Sequence, residues 1–112
     1  MIKVIFYKNA DGDFVGFKSM GHAGAGEYGQ DIVCSAISVL IINTVNAIEK
    51  FTHDKPLCKV DAKKMGYISF RIKGDISAES QLLLKTLHLG IEGVMSENKK
   101  YIKLKILEIK EV

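Results

Sequence analysis

The chain has little of several residue types, and each shortage excludes a class of protein. One proline, no tryptophan and no low-complexity stretch in 112 residues argue against a disordered segment or a linker. The two cysteines, Cys34 and Cys58, form no C-x-x-C pair, so nothing indicates a disulfide framework. The longest apolar run, Val39 to Ile42, is too short to cross a membrane. The N-terminus has a strand pattern rather than a signal peptide. We therefore expect a reduced, cytoplasmic protein without a membrane partner.

The composition that remains is typical of one small folded domain spanning residues 1–112. Hydrophobic residues make up 47% and charged residues 26%, which allows both a core and a soluble surface. The net charge is +3, but the lysines alternate with acids and form no visible basic stripe. We expect solvated faces and no direct nucleic-acid partner. His53 and His88 have no second ligand at metal-binding spacing, so we expect no metal and no cofactor.

Hydrophobic periodicity predicts the element order ββαββαβ, without a repeat. The predicted strands cover residues 1–8, 13–20, 57–61, 67–73 and 101–110. The predicted helices cover residues 32–51 and, after a cap at Asp75 or Ser77, the residues up to 97. Two hairpins and two helices make no repeated βαβ unit, so the fold class is α+β, with both helices packed on one mixed sheet. Strands that are apolar on both sides suggest a helix on each face, or one helix layer plus a partner chain.

The stretch from Ser19 to Ile42 is the most unusual part of the sequence. A predicted strand leads into a loop over residues 21–30 that contains four glycines, which allow positive φ angles and movement. These glycines are Gly21, Gly24, Gly26 and Gly29. Asp31 is the best candidate for the N-cap of the following helix. Cys34 would then lie near the third helical position, inside the first turn.

This arrangement places a thiol and an imidazole within one short segment. The unpaired N–H groups of a helix start stabilise a thiolate, and they are also candidates for an oxyanion hole. A nearby His22 would hold the thiolate as an imidazolium and then protonate a leaving amine. The segment therefore indicates a cysteine peptidase with His22 and Cys34 as the catalytic pair. The alternative is a cysteine that only packs in the core and a histidine that is only exposed.

Two motifs in this segment closely resemble the ribosomal-processing cysteine protease family, Prp. They are Gly21-His22-Ala23 and the helix start Gly29-Gln30-Asp31-Ile32-Val33-Cys34-Ser35-Ala36-Ile37-Ser38. The resemblance extends over essentially the whole chain. It implies that His22 and Cys34 form the family's catalytic dyad and that the glycine-rich loop moves when substrate binds. It also implies a bacterial, cytoplasmic homodimer that removes an N-terminal extension from a large-subunit ribosomal protein (number twenty-seven), after a hydrophobic, phenylalanine-rich stretch.

Cleavage after such a stretch requires an apolar groove near the dyad. The candidate lining residues are Met20, Tyr28 and Ile41. Ser38 lies one turn after Cys34 and would bond toward the thiol, help place His22, or donate back to the Cys34 carbonyl. Asp31 fits a cap better than a third catalytic group, because its charge beside Cys34 would oppose thiolate formation.

Two other functions compete with the peptidase hypothesis. Gly24 to Gly29 matches the G-x-G-x-x-G pattern of nucleotide-binding loops, but Glu27 and Asp31 would repel phosphates and the hairpins provide no parallel βαβ unit. The other alternative is an inactive, ribosome-associated binding protein in which Cys34 is only a core residue. Alkylation by iodoacetamide distinguishes a peptidase from these two alternatives, because a catalytic Cys34 should react much faster than Cys58. We interpret Cys58 as a packing residue.

Overall fold

The computed structural model describes residues 1–21, 28–61 and 66–110, with residues 28–31 described by their backbone alone. The predicted order ββαββαβ is confirmed. The strands are β1 (Ile2–Lys8), β2 (Phe14–Met20), β3 (Leu57–Asp61), β4 (Tyr67–Arg71) and β5 (Ile102–Glu108), and the helices are α1 (Tyr28–Phe51) and α2 (Ala78–Glu97).

The five strands form one mixed sheet in the order β3-β4-β2-β1-β5. β1 pairs with β2, β2 with β4 and β4 with β3, all antiparallel. β1 pairs with β5 in parallel, which makes the sheet mixed, as predicted. The predicted class, α+β, is therefore confirmed.

The β1–β2 hairpin forms where the sequence has its Asp-Gly turn signal. The Asn9 side-chain oxygen accepts hydrogen bonds from the backbone N–H groups of Asp11 and Asp13, each at 3.0 Å. Gly12 takes a φ of +82°, a conformation that side chains with a Cβ rarely adopt. The turn thus fixes the register that brings Phe6 opposite Phe17.

Both helices lie on the same face of the sheet. In β1 the side chains of Ile2, Val4 and Phe6 are buried, whereas Lys3 is exposed. Those three residues share a single core cluster with both helices, and α1 also packs against α2. The contributing helix residues are Val33, Ile37, Ile41, Val45 and Ile48 of α1, and Leu84, Leu87 and Ile91 of α2. The expectation of a helix on each face was wrong, and the alternative of one helix layer is the observed arrangement.

Helix α1 is more apolar than its longest unbroken run suggested. Its segment Ile32–Phe51 has a mean hydropathy of 1.8 over an 18-residue window, enough by length and composition to cross a membrane. A core helix passes the same test, and the inward stripe of α1 belongs to the core under the sheet. Its high hydropathy is therefore explained in part by packing.

Helix α2 starts at a small hydrogen-bond network centred on Asp54. Ser77 is the N-cap, one of the two predicted candidates, and its hydroxyl accepts from the Ser80 N–H at 3.1 Å. The hydroxyls of Ser77 and Ser80 both donate to the Asp54 carboxylate. Burial alone would raise the pKa of Asp54, but the hydrogen bonds from Ser77 and Ser80 outweigh it and hold the pKa below its ordinary value. The network ties the segment after α1 to the start of α2.

We expect Asp54→Asn to lower the free energy of unfolding at pH 7 by about 1 kcal/mol, because a neutral acceptor replaces a charged one. A carboxylate whose folded pKa is depressed stabilises the fold at neutral pH and loses that contribution as pH falls through the folded value. Urea unfolding of both proteins at pH 7 and near pH 3 measures this. The difference between them should shrink at low pH; an equal difference at both pH values would contradict the role of the charge.

Candidate active site

The structure places Cys34 in the second turn of α1, because the helix begins at Tyr28. The predicted start at Ile32 was too late. Asp31 therefore lies within the first turn and is not the N-cap, and Gly29 belongs to the helix rather than to the loop. The Cys34 side chain is half-buried, so it lies at the surface of the core and not inside it.

The earlier helix start changes the electrostatic argument for Cys34. Only the first four N–H groups of a helix lack intrahelical partners, and the macrodipole effect is confined to the first turn. The Cys34 amide lies beyond both limits, so the predicted oxyanion hole from helix-start N–H groups is not available at this residue. Any stabilisation of a thiolate here must come mainly from a neighbouring side chain.

Cys34 borders a cavity of about 180 Å³ between α1 and the sheet. Most of the lining is apolar and comes from α1, β1, β3 and β4. The lining residues are Ile2, Ser19, Gly21, Cys34, Ile37, Ser38, Ile41, Ile42, Val60, Gly66, Tyr67 and Ile68. The cavity is therefore an apolar depression with a thiol at its border.

The three residues predicted to line a substrate groove do not all lie at this cavity. Ile41 lines the cavity. Met20 does not: it lines a depression on the opposite face of the sheet. Because side chains alternate along a strand, its neighbour Ser19 faces the cavity instead. The side chain of Tyr28 lies outside the described residues.

Sequence reasoning missed the contribution of the β3–β4 hairpin. Val60, Tyr67 and Ile68 line the cavity beside Gly66, although their spacing predicted only an ordinary hairpin. Gly66 was the sequence signal for this contribution. It has a φ of +73°, and its Cα lies so close to the Gly21 carbonyl that a Cβ would overlap with the carbonyl oxygen. The two glycines thus bring the end of β2 and the start of β4 together at the cavity.

The other predicted site residues are only partly described. Gly21 lines the cavity. Its φ is +98°, in the region that glycine adopts more readily than other residues. His22, Gly24 and Gly26 lie outside the described residues, as does the side chain of Asp31. Ser38 is exposed and lines the cavity, and among the described residues its hydroxyl bonds neither to the Cys34 thiol nor to the Cys34 carbonyl.

The second cysteine differs from Cys34 in position and surroundings. Cys58 lies on the edge strand β3 and is exposed, so its interpretation as a packing residue was wrong. Burial by its neighbours and the negative charge of Glu49 raise the pKa of the Cys58 thiol. A raised pKa lowers the thiolate fraction and hence the reactivity.

Comparison with known proteins points to a family of thiol-dependent enzymes, in agreement with the thiol at the border of the cavity. The family described as cysteine protease Prp matches residues 1–103. This chain belongs to the Prp family of cysteine proteases. Accordingly it is a cysteine protease. The ribosomal processing cysteine protease Prp of Staphylococcus aureus (strain Mu50) is 33% identical over 104 residues, which cover 93% of this chain and 97% of that protein.

Solved Prp structures share the fold. The crystal structure of an essential Prp from S. aureus with a substrate peptide has a TM-score of 0.88 and 31% sequence identity, covering 96% of this chain and all of that one. A second S. aureus Prp structure, with a covalently linked product peptide, has a TM-score of 0.86 and 32% identity over the same share of both chains.

Proposed function

We propose that this protease removes the N-terminal extension of a large-subunit ribosomal protein (number twenty-seven), using Cys34 as nucleophile and His22 as acid–base group. The observation that carries the proposal is the half-buried Cys34 thiol at the border of an apolar cavity. The similar S. aureus protein, named for ribosomal processing, supports the choice of substrate.

Gly21, the residue before His22 in the sequence, borders the same cavity as Cys34. One peptide bond joins Gly21 to His22, and this adjacency supports His22 as the partner of Cys34. In the proposed reaction the Cys34 thiolate attacks the scissile carbonyl, and the His22 imidazolium protonates the leaving amine. Water then hydrolyses the thioester, with His22 as the base. Ser38, at the same cavity, and Asp31 are the proposed supporting residues.

The cavity also suits the proposed hydrophobic substrate. Ile37 and Ile41 are buried and form its base, whereas Ile42 is 56% exposed and Val60 is 73% exposed at its border. Exposed apolar side chains beside a cavity gain free energy when a peptide side chain covers them. This supports binding of the phenylalanine-rich stretch next to Cys34.

We expect Ile42→Asp to raise the KM for such a peptide at least about tenfold, because a charge would be buried under an apolar ligand. Its exposed position means that the fold should tolerate the change. The matched control is Leu89→Asp, since Leu89 is 69% exposed on α2 and does not line the cavity. Steady-state kinetics of all three proteins measure the effect. Equal losses in both variants would mean that the cavity does not bind the substrate.

A peptide that spans the cleavage site of the precursor tests the proposed function most directly. Incubation with the wild-type protein, followed by mass spectrometry, should give one cut at the end of the hydrophobic stretch. No cut by soluble, folded protein would overturn the proposed substrate. A cut that persists in Cys34→Ala would place the chemistry elsewhere.

We also infer that the protein is a cytoplasmic homodimer, as the resemblance implied. Ile32 and Val39 lie on α1, are 54% and 66% exposed, and do not line the cavity. Exposed apolar residues on one helix are typical of a surface covered by a partner.

A further inference from the structure

The sheet has a second face that neither helix covers. Side chains alternate along a strand, so residues that pair across the strands with Lys3 and Ile5 lie on the side opposite the core. We define this open face by its described residues. They are Lys3, Ile5 and Tyr7 of β1, Gly16, Lys18 and Met20 of β2, Leu57, Lys59 and Asp61 of β3, Tyr67, Ser69 and Arg71 of β4, and Lys103, Lys105 and Leu107 of β5.

The open face concentrates positive charge. Every strand contributes at least one cation, and the described residues of the face include a single acid, Asp61. The cations are Lys3, Lys18, Lys59, Arg71, Lys103 and Lys105. The face thus carries five more positive than negative charges, while the whole chain has a net charge of +3. The remaining residues of the chain are therefore net negative in total.

The register places like charges side by side. Lys3 of β1 pairs directly with Lys103 of β5, and like charges opposite each other destabilise a sheet. Lys3 and Lys105 line one depression with Lys103. Lysines on an edge strand guard against aggregation, which accounts for those of β5, but β1 and β2 are interior strands. Protection of an edge does not explain Lys3 or Lys18.

Aromatic rings lie among these cations. The Lys18 ammonium lies 5.6 Å from the ring centre of Tyr67. Tyr7 occupies the same face and pairs with Leu107 of β5. Lysines bind phosphates as point charges, and tyrosines on an open sheet provide surfaces on which bases stack. A peptide of acidic residues or an anionic lipid headgroup would use the charge but offers no base to stack on these partly buried rings.

We propose that the open face binds single-stranded RNA, with the lysines on the phosphates and Tyr7 stacked on a base. The preference for RNA over DNA rests on the proposed function, because a ribosomal-protein precursor is assembled with RNA. The cavity and the open face lie on opposite sides of the sheet, as Ser19 and Met20 show, and Tyr67 borders both. A precursor could thus be cut while RNA is held on the other side.

Fluorescence anisotropy with a labelled 20-nucleotide single-stranded RNA of mixed sequence tests the proposal. The full-length wild-type chain is compared with Lys3→Gln/Lys103→Gln/Lys105→Gln. The matched control is Lys50→Gln/Lys55→Gln/Lys85→Gln, which removes three exposed lysines from outside the face. The open-face variant should weaken binding at least about tenfold and reduce the salt slope by about 2, and the control should change it less than about twofold. Tyr7→Leu should weaken binding about tenfold without changing the salt slope.

Other results would overturn the proposal. These are no binding at 50 mM salt, equal losses in both triple variants, or competition by polyglutamate or anionic vesicles as effective as that of unlabelled RNA. Single-stranded DNA that binds as tightly as RNA would overturn the choice of RNA. Peptide cleavage is measured on the same proteins and should be unchanged in the open-face variant. A failure of RNA binding is thereby distinguished from a failure of the proposed protease function.

Discussion

Replacing Cys34 by alanine should reduce cleavage of the precursor peptide by at least about 1,000-fold, the scale expected when an enzyme loses its nucleophile. The thiol is half-buried at the border of the cavity, and no other cysteine lines that cavity. Single-turnover cleavage followed by mass spectrometry measures the residual rate. Cys34→Ser should lose nearly as much, because a hydroxyl ionises far less readily than a thiol.

Cys58→Ala is the matched control for this experiment. Cys58 is exposed on β3 and lies outside the cavity, so its variant should keep wild-type kinetics. The thermal midpoint of Cys34→Ala should stay close to that of the wild type, since one sulfur at a half-buried site contributes little to the core. A folded Cys34→Ala protein that cleaves at more than a few per cent of the wild-type rate would contradict the nucleophile assignment.

His22→Ala should lower kcat about 100-fold to 10,000-fold, the range in which general acid–base groups contribute. The side chain is proposed both to hold the thiolate and to protonate the leaving amine. Loss of the imidazole should therefore also slow alkylation of Cys34 by iodoacetamide near pH 6, where an imidazolium is available to support a thiolate. Peptide mass mapping measures alkylation at Cys34 and Cys58 separately.

The other two histidines serve as controls for this result. His53→Ala replaces an exposed residue and should change neither cleavage nor alkylation. His88 packs against the Phe6 ring at 4.9 Å, so His88→Ala should lower stability but not the rate of folded protein. If His22→Ala lowers kcat but leaves Cys34 alkylation unchanged, the imidazole acts only on the leaving group. Unchanged cleavage would exclude His22 from the mechanism.

The sequence predicted the element order and the family correctly, because both depend on local patterns. Alternating apolar residues and the motif around Cys34 lie within short segments. The errors arose where distant parts of the chain decide the outcome. Met20 and Ser19 are neighbours, and only the pairing of β2 within the sheet determines which of them faces the cavity. Asp31 has the chemistry of an N-cap, yet the helix begins three residues earlier, at Tyr28.

The open face was invisible in the sequence for a related reason. Its cations are single lysines or arginines scattered from Lys3 to Lys105, and apart from Lys103 and Lys105 they lie at least twelve residues from one another. A search for a basic run along the chain finds none. The strand order β3-β4-β2-β1-β5 brings them to one side, and that order includes a parallel pairing that local sequence does not specify.

The parallel pairing of β1 with β5 also affects when a newly made chain can become active. Ile2 lines the cavity beside Cys34 and is paired with Ile102, a hundred residues further along the chain. Synthesis proceeds from the N-terminus at about 5–20 residues per second. The β1–β2 hairpin and α1 leave the ribosome long before β5 does, so β1, which carries Ile2, gains its parallel partner later than its antiparallel one. The strand that carries Ile2 is therefore fully paired, and peptide hydrolysis by a nascent chain is expected, only once β5 has been translated.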